Sequence, residues 1–470
     1  MDLTHKKLSL GTEHQLKTAS VDLMFVPPSP VTDKIKLDIR GAVTNHSNET
    51  MKFEVCFYLG KQEESCLLHR ENISVAAKSI TEVCFHWPTK GSVGCHLVFF
   101  VATSGSIKSC ETRTLEIIAS DVPSSRRISG AWLGLLHWCE KEGRLWNENI
   151  RQLTDEHWAE MVREMHEIKM DIIVIQELFR NQMYYGKHTI EGDGYHGKAF
   201  YPSRLYHGRM PITAKNPVEA ILTEADKHNM NVFLPVGLYA WFDFTKGSLE
   251  WHKQVADELH ELYGHHKSFY GWYVSEEVYG DLGNDPRSWC EIVEFFHEFQ
   301  AHCRRLAPCK PVMLAPNCHF VPRAVESWRK LLKHCDIICP FGFHRMPAGD
   351  ISGTEAAELM QKLCEDAGAH LWMDMEMFSF EEDNALYPRS ISGIIGDLCK
   401  FTNFEHILCY QFPGLMNAPW ATEKPGGEAT VKLYTDYYNF LKSRERKVAE
   451  IMSKQSGKRY LYADNQNVTR

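Results

Sequence analysis

Between residues 20 and 120 the chain alternates apolar and polar positions with a period of two. The stretches IKLDIRGAVTN, MKFEVCFYLG, ITEVCFHWPT, CHLVFFVAT and TRTLEIIAS are rich in Val, Ile, Phe and Thr, and the turn-forming PPSP, NHSNE, TKGS and TSGS separate them. Alternation turns one face of each stretch to a core, so this region predicts at least five short strands in a small β-sandwich. From Ile128 the pattern changes. Short apolar runs (ISGAWLGLLHW, DIIVIQELF, NVFLPVGLYAW, FYGWYVSEE, PVMLAPN, CDIICPFGF, HLWMDMEMF, HILCYQFPG) alternate with amphipathic segments that repeat every three to four residues. Thr154 is placed to cap one of these helices, and Pro217 to open another. Eight strand–helix units over the remaining chain predict an α/β fold, a (β/α)8 TIM barrel. The expected organisation is a tail over 1–20, a sandwich over 21–120, a linker over 121–127 (DVPSSRR), a barrel over 128–446 and a polar tail over 447–470. That tail is polar and basic and is expected to fray.

Composition narrows the class. Of 470 residues, 44% are hydrophobic and 24% charged, with a formal net charge of −9. The negative balance argues against nucleic acid or an acidic membrane as partner. No apolar run is long enough to span a membrane, and the N-terminus lacks the apolar core of a secretory signal. The 15 cysteines are scattered without CxxC pairs. That fits reduced thiols in a cytoplasmic protein and argues against a zinc site or disulfide framework. The sequons at Asn45, Asn48, Asn72 and Asn467 would then go unused. The chain has no nucleophile elbow, P-loop or dinucleotide fingerprint.

Candidate chemistry lies where the apolar runs end, because barrel active sites form at the C-terminal ends of the strands. Two of those ends carry carboxylates inside otherwise apolar sequence. FYGWYVSEE, the fourth strand, ends in Glu276 and Glu277. In HLWMDMEMF, the seventh, alternation puts Trp372, Asp374 and Glu376 on one face. Two carboxylates on one face cannot point at an apolar helix layer without a large desolvation penalty, so that face points into the barrel, with Asp374 the deeper. On the fourth strand Glu276 and Glu277 face opposite ways, and alternation alone does not choose between them. Other strand ends supply Trp138, Glu177, Tyr239, Trp241, Asn317, His319, His344, Tyr410 and Gln411 as candidate substrate contacts.

GWYVSEE and LWMDMEMF resemble the fourth- and seventh-strand motifs of the large clan of (β/α)8 retaining glycoside hydrolases. The N-terminal half is loosely similar to immunoglobulin-like modules that accompany such enzymes. The barrel also looks like glycosidase-like families of unknown function. The resemblance implies Glu277 as acid/base and Glu376 as nucleophile. It places Glu276 where the clan usually has an asparagine that contacts the sugar, a departure from the pattern. The implied partner is a carbohydrate, with no cofactor and no metal.

Two glutamates suit glycosidic cleavage, which needs one carboxylic acid to protonate the leaving oxygen and one carboxylate on the anomeric carbon. The charge on Glu276 is expected to raise the pKa of Glu277; alternatively, Glu276 pairs with a basic loop residue such as Arg345. The unusually long segment after the second strand, RNQMYYGKHTIEGDGYHGKAFYPSRLYHGRMP, is expected to wall the cleft. Two other readings stay open. One is a metal-dependent sugar enzyme using Glu177, Glu277, His319, His344 and Glu376; the other is a carbohydrate-binding barrel without catalysis.

Overall fold

The computed structural model describes residues 18–137, 139–181, 197–237 and 243–464, with side chains described as far as residue 446. The N-terminal region is two sheets. One is antiparallel, in the order Ala19–Val26, Lys36–Asn45, Ile80–Pro88. The other runs Val31–Thr32, Ile107–Ile118, Gly94–Ser104, Met51–Leu59, Leu67–Val75. Leu37, Ile39 and Val43 from the first share a buried core with Phe57, Val98, Phe100 and Leu115 from the second. The sheets approach closely at Gly41, where a Cβ would lie 2.6 Å from the Phe100 ring. Leu67–Val75 was not evident from alternation. It is an edge strand, exposed or half-exposed along most of its length, so no face of it had to be apolar.

The second region is a parallel sheet whose strands we number β1 (Ile128–Leu133), β2 (Ile172–Ile175), β3 (Asn231–Pro235), β4 (Phe269–Val274), β5 (Val312–Leu314), β6 (Ile337–Ile338), β7 (His370–Leu371), β8 (Met373–Glu376) and β9 (Ile407–Tyr410). Their order is β7-β6-β5-β4-β3-β2-β1-β9-β8. The two ends of this order are separated by one residue, Trp372. The Trp372 N–H donates to Ile338 O (2.8 Å), and the Met373 N–H donates to His406 O (2.9 Å), so one segment bonds to both sides and the sheet comes round into a nearly closed ring.

Helices cover the outside. Thr154 caps Asp155–Glu167 in a capping box with His157, and Asn216 caps Pro217–His228 with Pro217 in the first turn. The last helix, Glu428–Asp464, continues past residue 446, where a fraying tail was expected. The segment contains no proline and is rich in Lys, Arg, Glu and Ala, which favour helix.

Alternation along the strands separates two layers. Trp132, Val174, Phe233, Tyr273, Met313, Ile337, Trp372 and Leu408 pack inside the ring. Trp272, Val274, Leu371, Met373 and Met375 face the helices. Met24, Val26 and Ala42 of the N-terminal sheet join the interior cluster. Other contacts fasten the same end. Tyr270 Oη donates to Phe25 O (2.7 Å), Arg40 Nη2 to Asp336 Oδ1 (2.6 Å) and Arg304 Nη1 to Glu82 Oε1 (2.5 Å). Tyr270 begins β4 and Asp336 immediately precedes β6, so the N-terminal sheet closes the end where the strands start. The opposite end, where they finish, is left to the loops.

Candidate functional site

The strand ends surround a cavity of about 410 Å³. Alternation explains who reaches it. On β4 the inner face is Tyr273, followed by Ser275 and Glu277, and all three line the cavity. Glu276 lies on the other face. Its Oε1 is 3.6 Å from His252 Nε2, on the covering helix Lys246–Tyr263, and it does not line the cavity. On β8, Asp374 and Glu376 face inward and Met375 outward.

Asn317, His319 and Tyr410, all named from the sequence, also line the cavity. Asn317 Oδ1 accepts from the Gly280 N–H (3.1 Å), tying the loop after β4 to the end of β5. His344 stands behind Glu376, with Nδ1 3.1 Å from Oε2. Glu177 is turned aside and held by Arg180, whose Nε lies 2.9 and 3.0 Å from its two oxygens. The Gln411 amide donates to Pro413 O (2.9 Å) and does not line the cavity. Trp138, Tyr239 and Trp241 lie outside the described residues, as does much of the long segment after β2. The described part of that segment contributes no lining residue; it begins and ends in a small sheet of Phe179–Asn181, Gly197–Ala199 and Gly208–Arg209.

Sequence reading missed several lining residues. Ser275 and Tyr273 were within reach, since alternation back from Glu277 names them. Gln176 follows β2 directly, and nothing in its local sequence singles it out. Glu142 carried no signal: it sits in the loop after β1, which no periodicity positions. Arg345 had been considered as a partner for Glu276; instead its Nε donates to Glu376 Oε1 at 2.5 Å.

Electrostatics sets the two inward glutamates apart. Burial pushes Glu277 up to about 7, with the charges of Glu142 and Glu376 adding to the rise and Arg345 opposing it. Glu276 is not among the causes, which corrects the expectation that the adjacent carboxylate does this. Among the described residues no side chain hydrogen-bonds or ion-pairs with Glu277. Glu376 has Arg345 beside it as counter-charge. Burial also raises Asp374 well above the usual carboxylate range, reinforced by Glu376, and raises Glu142. His137 is lowered to about 4, and His319 and His344 are lowered as well, burial being the first cause for each.

Buried polar atoms without a protein hydrogen-bond partner gather here. Gln176 Oε1, Ser275 Oγ, His319 Nε2, Asp374 Oδ1 and Glu376 Oε2 belong to five different lining residues. A buried polar atom left unpaired is unfavourable, so their convergence on one cavity fits a ligand rich in hydrogen-bonding groups. Among the described residues, the clusters with metal-ligand spacing are Asp38–Cys84–His86 and Glu219–His265–His266. Neither belongs to the cavity, and the ring of Glu177, Glu277, His319, His344 and Glu376 is not among them.

The raised Glu277 carries a stability prediction. A carboxyl moved from 4.5 to about 7 favours folding below its unfolded value, and that contribution is lost as pH rises through about 7. The full shift corresponds to about 3 kcal/mol as an upper figure. Glu277→Gln is therefore expected to raise the melting temperature at pH 8 and to leave it nearly unchanged at pH 5. Equal changes at both pH values would contradict the assignment.

No curated protein matches the chain in sequence. Solved structures with a similar arrangement include a candidate alpha-L-fucosidase from Bacteroides thetaiotaomicron VPI-5482, at 16% identity and a TM-score of 0.48, covering 68% of this chain and 96% of that one. A GH2 beta-galacturonidase from Eisenbergiella tayi matches at 11% identity and a TM-score of 0.40, covering 90% of this chain and 72% of its own. A Bacteroides uniformis beta-glucuronidase matches at 11% identity and a TM-score of 0.38, over 84% of this chain and 45% of that one. Among the described residues no helix is long and apolar enough to cross a membrane. The family model for a domain of unknown function, DUF4434, matches residues 128–423, and the chain belongs to that family.

Proposed function

We propose that the chain hydrolyses a glycosidic bond, with Glu277 as acid/base and Glu376 as nucleophile. In this reading β7 and β8 count as one strand of a (β/α)8 barrel over 128–446, with a separate sandwich over 21–120. The observation that carries it is the pairing of two carboxyls in one cavity with opposite surroundings. Glu277 is raised by burial and makes no side-chain hydrogen bond or ion pair among the described residues, whereas Glu376 is met by a guanidinium at 2.5 Å. An acid that keeps its proton near neutral pH and a second carboxyl group placed as nucleophile are the two groups this reaction needs.

In the first step an oxygen of Glu376 attacks the anomeric carbon. The bond to the leaving oxygen breaks, and that oxygen takes the proton of Glu277. In the second, Glu277 accepts a proton from water. The water oxygen bonds to the anomeric carbon and Glu376 is released, so configuration is retained. Arg345 holds Glu376 through Oε1, and Oε2, with His344 Nδ1 3.1 Å away, makes the attack. The unpaired atoms of Gln176, Ser275, His319 and Asp374 supply hydrogen bonds for sugar hydroxyls, and Trp132 and Tyr410 supply flat apolar surface for its C–H faces.

The test is turnover of p-nitrophenyl α- and β-glycosides by the full chain. Activity is expected to fall as pH rises through about 7, because Glu277 then loses the proton it must donate. Glu276→Asn is expected to lower kcat by no more than about tenfold, since Glu276 faces the helix layer. A folded protein that cleaves nothing across the panel sinks the proposal.

A further inference from the structure

The mouth of the cavity has a chemistry different from its floor. Tyr279 and Phe380 are exposed by 48% and 51%, and both line the cavity. They come from separate loops, one after β4 and one in the hairpin Phe378–Phe380/Leu386–Pro388 that follows β8. Phe378 and Leu386 extend the apolar surface of that hairpin into the cavity. The hairpin is also held in place, since the Leu386 N–H donates to Glu142 O (3.1 Å) in the loop after β1. A large apolar side chain such as Phe380, half in water at a cavity rim, gains from an apolar group laid across it.

Charge on the floor gives the second half of the argument. Arg345 is the only Lys or Arg among the described lining residues, and Glu376 occupies it. Arg389, behind the site, is bound by Asp397 (2.8 Å) and by Glu376 O (2.7 Å). Arg180 is held by Glu177. A sugar bearing its own carboxylate would enter beside Glu142, Glu277, Asp374 and Glu376, with no unpaired Lys or Arg among the described lining residues to meet it. A cationic sugar gains less than four acidic side chains suggest, because Glu376 is already paired with Arg345 and burial raises Glu142, Glu277 and Asp374.

We infer that the site takes an uncharged glycosyl group on its floor and a flat apolar aglycone against Phe380 at its mouth. This rests on the glycosidase reading, with the aglycone on the leaving-group side.

Calorimetry on the full chain carrying Glu277→Gln, which slows turnover and keeps the Glu376–Arg345 pair, tests the inference. The probes are the p-nitrophenyl and methyl forms of a panel of neutral hexoses and deoxyhexoses, with p-nitrophenyl uronides and aminoglycosides beside them. A neutral p-nitrophenyl glycoside is expected to bind at least about tenfold more tightly than its methyl counterpart and than the matching uronide. Phe380→Ala should abolish the aryl advantage, and Phe380→Tyr should keep it. Equal binding of aryl and methyl forms, an advantage that survives Phe380→Ala, tighter binding of a uronide or aminoglycoside, or no binding across the panel overturns the inference. Wild-type turnover separates the two claims. An aryl glycoside bound through Phe380 but never cleaved removes the hydrolase reading and leaves the aglycone site. Cleavage with no aryl advantage does the reverse.

Discussion

Glu376→Gln is expected to lower kcat by about four orders of magnitude or more while leaving the fold intact. The amide keeps the shape of the carboxyl but cannot attack the anomeric carbon. Nor does it offer Arg345 the charge that the guanidinium meets at 2.5 Å. Glu277→Gln is expected to cost about 10²- to 10⁴-fold, the usual contribution of a positioned acid. Leaving-group chemistry separates the two roles. A dinitrophenolate departs without a proton, so a dinitrophenyl glycoside should restore much of the first step in Glu277→Gln and none of it in Glu376→Gln. Steady-state and burst kinetics on both variants check this. Small, equal losses in both would contradict the assignment, and so would rescue of Glu376→Gln by the better leaving group.

The second large effect is on stability and lies at the other end of the ring. Arg40→Ala is expected to destabilise the folded chain by about 3–5 kcal/mol, the loss that follows when one partner of a buried ion pair is removed. Arg40 is buried, with Nη2 2.6 Å from Asp336 Oδ1 and 3.2 Å from Asp38 Oδ2. Asp336 also accepts from Arg304 (2.8 Å) and from the Val312 N–H (2.8 Å). Removing Arg40 leaves Asp38 and Asp336 buried with less compensating charge where the N-terminal sheet meets the strand starts. Denaturation of Arg40→Ala, Asp336→Asn and the double variant measures the coupling. Additive losses would show that the pair does not couple the two regions. His370 belongs to the same contact. Burial alone would lower it, but Glu405 and Asp38 hold it at about 10. Its stabilisation is therefore complete below the unfolded value of 6.5 and is lost as pH rises through about 10.

The sequence by itself determined the alternation, and with it much of the site. Side chains on a strand alternate whatever the neighbours, so once GWYVSEE and HLWMDMEMF are read as strands, Asp374 and Glu376 must share a face. On HLWMDMEMF those two carboxylates mark the inner face and leave Met373 and Met375 to meet the helices, whereas both faces of GWYV are apolar. What the sequence could not choose was which of Glu276 and Glu277 turns inward, because alternation fixes relative faces but not the direction of the ring's centre. Packing Tyr273 inside and Trp272 outside made that choice, and seated Glu276 against His252 of the helix Lys246–Tyr263 that precedes the strand. Glu142, Arg345 and the Phe380 hairpin lie in loops, whose positions depend on where the strands they join end. Met24, Val26 and Ala42 plug a ring built from residues far along the chain, and the Arg40–Asp336 pair joins residues 296 positions apart. Only the closed tertiary structure decides such contacts, because neither partner has a local reason to be where it is.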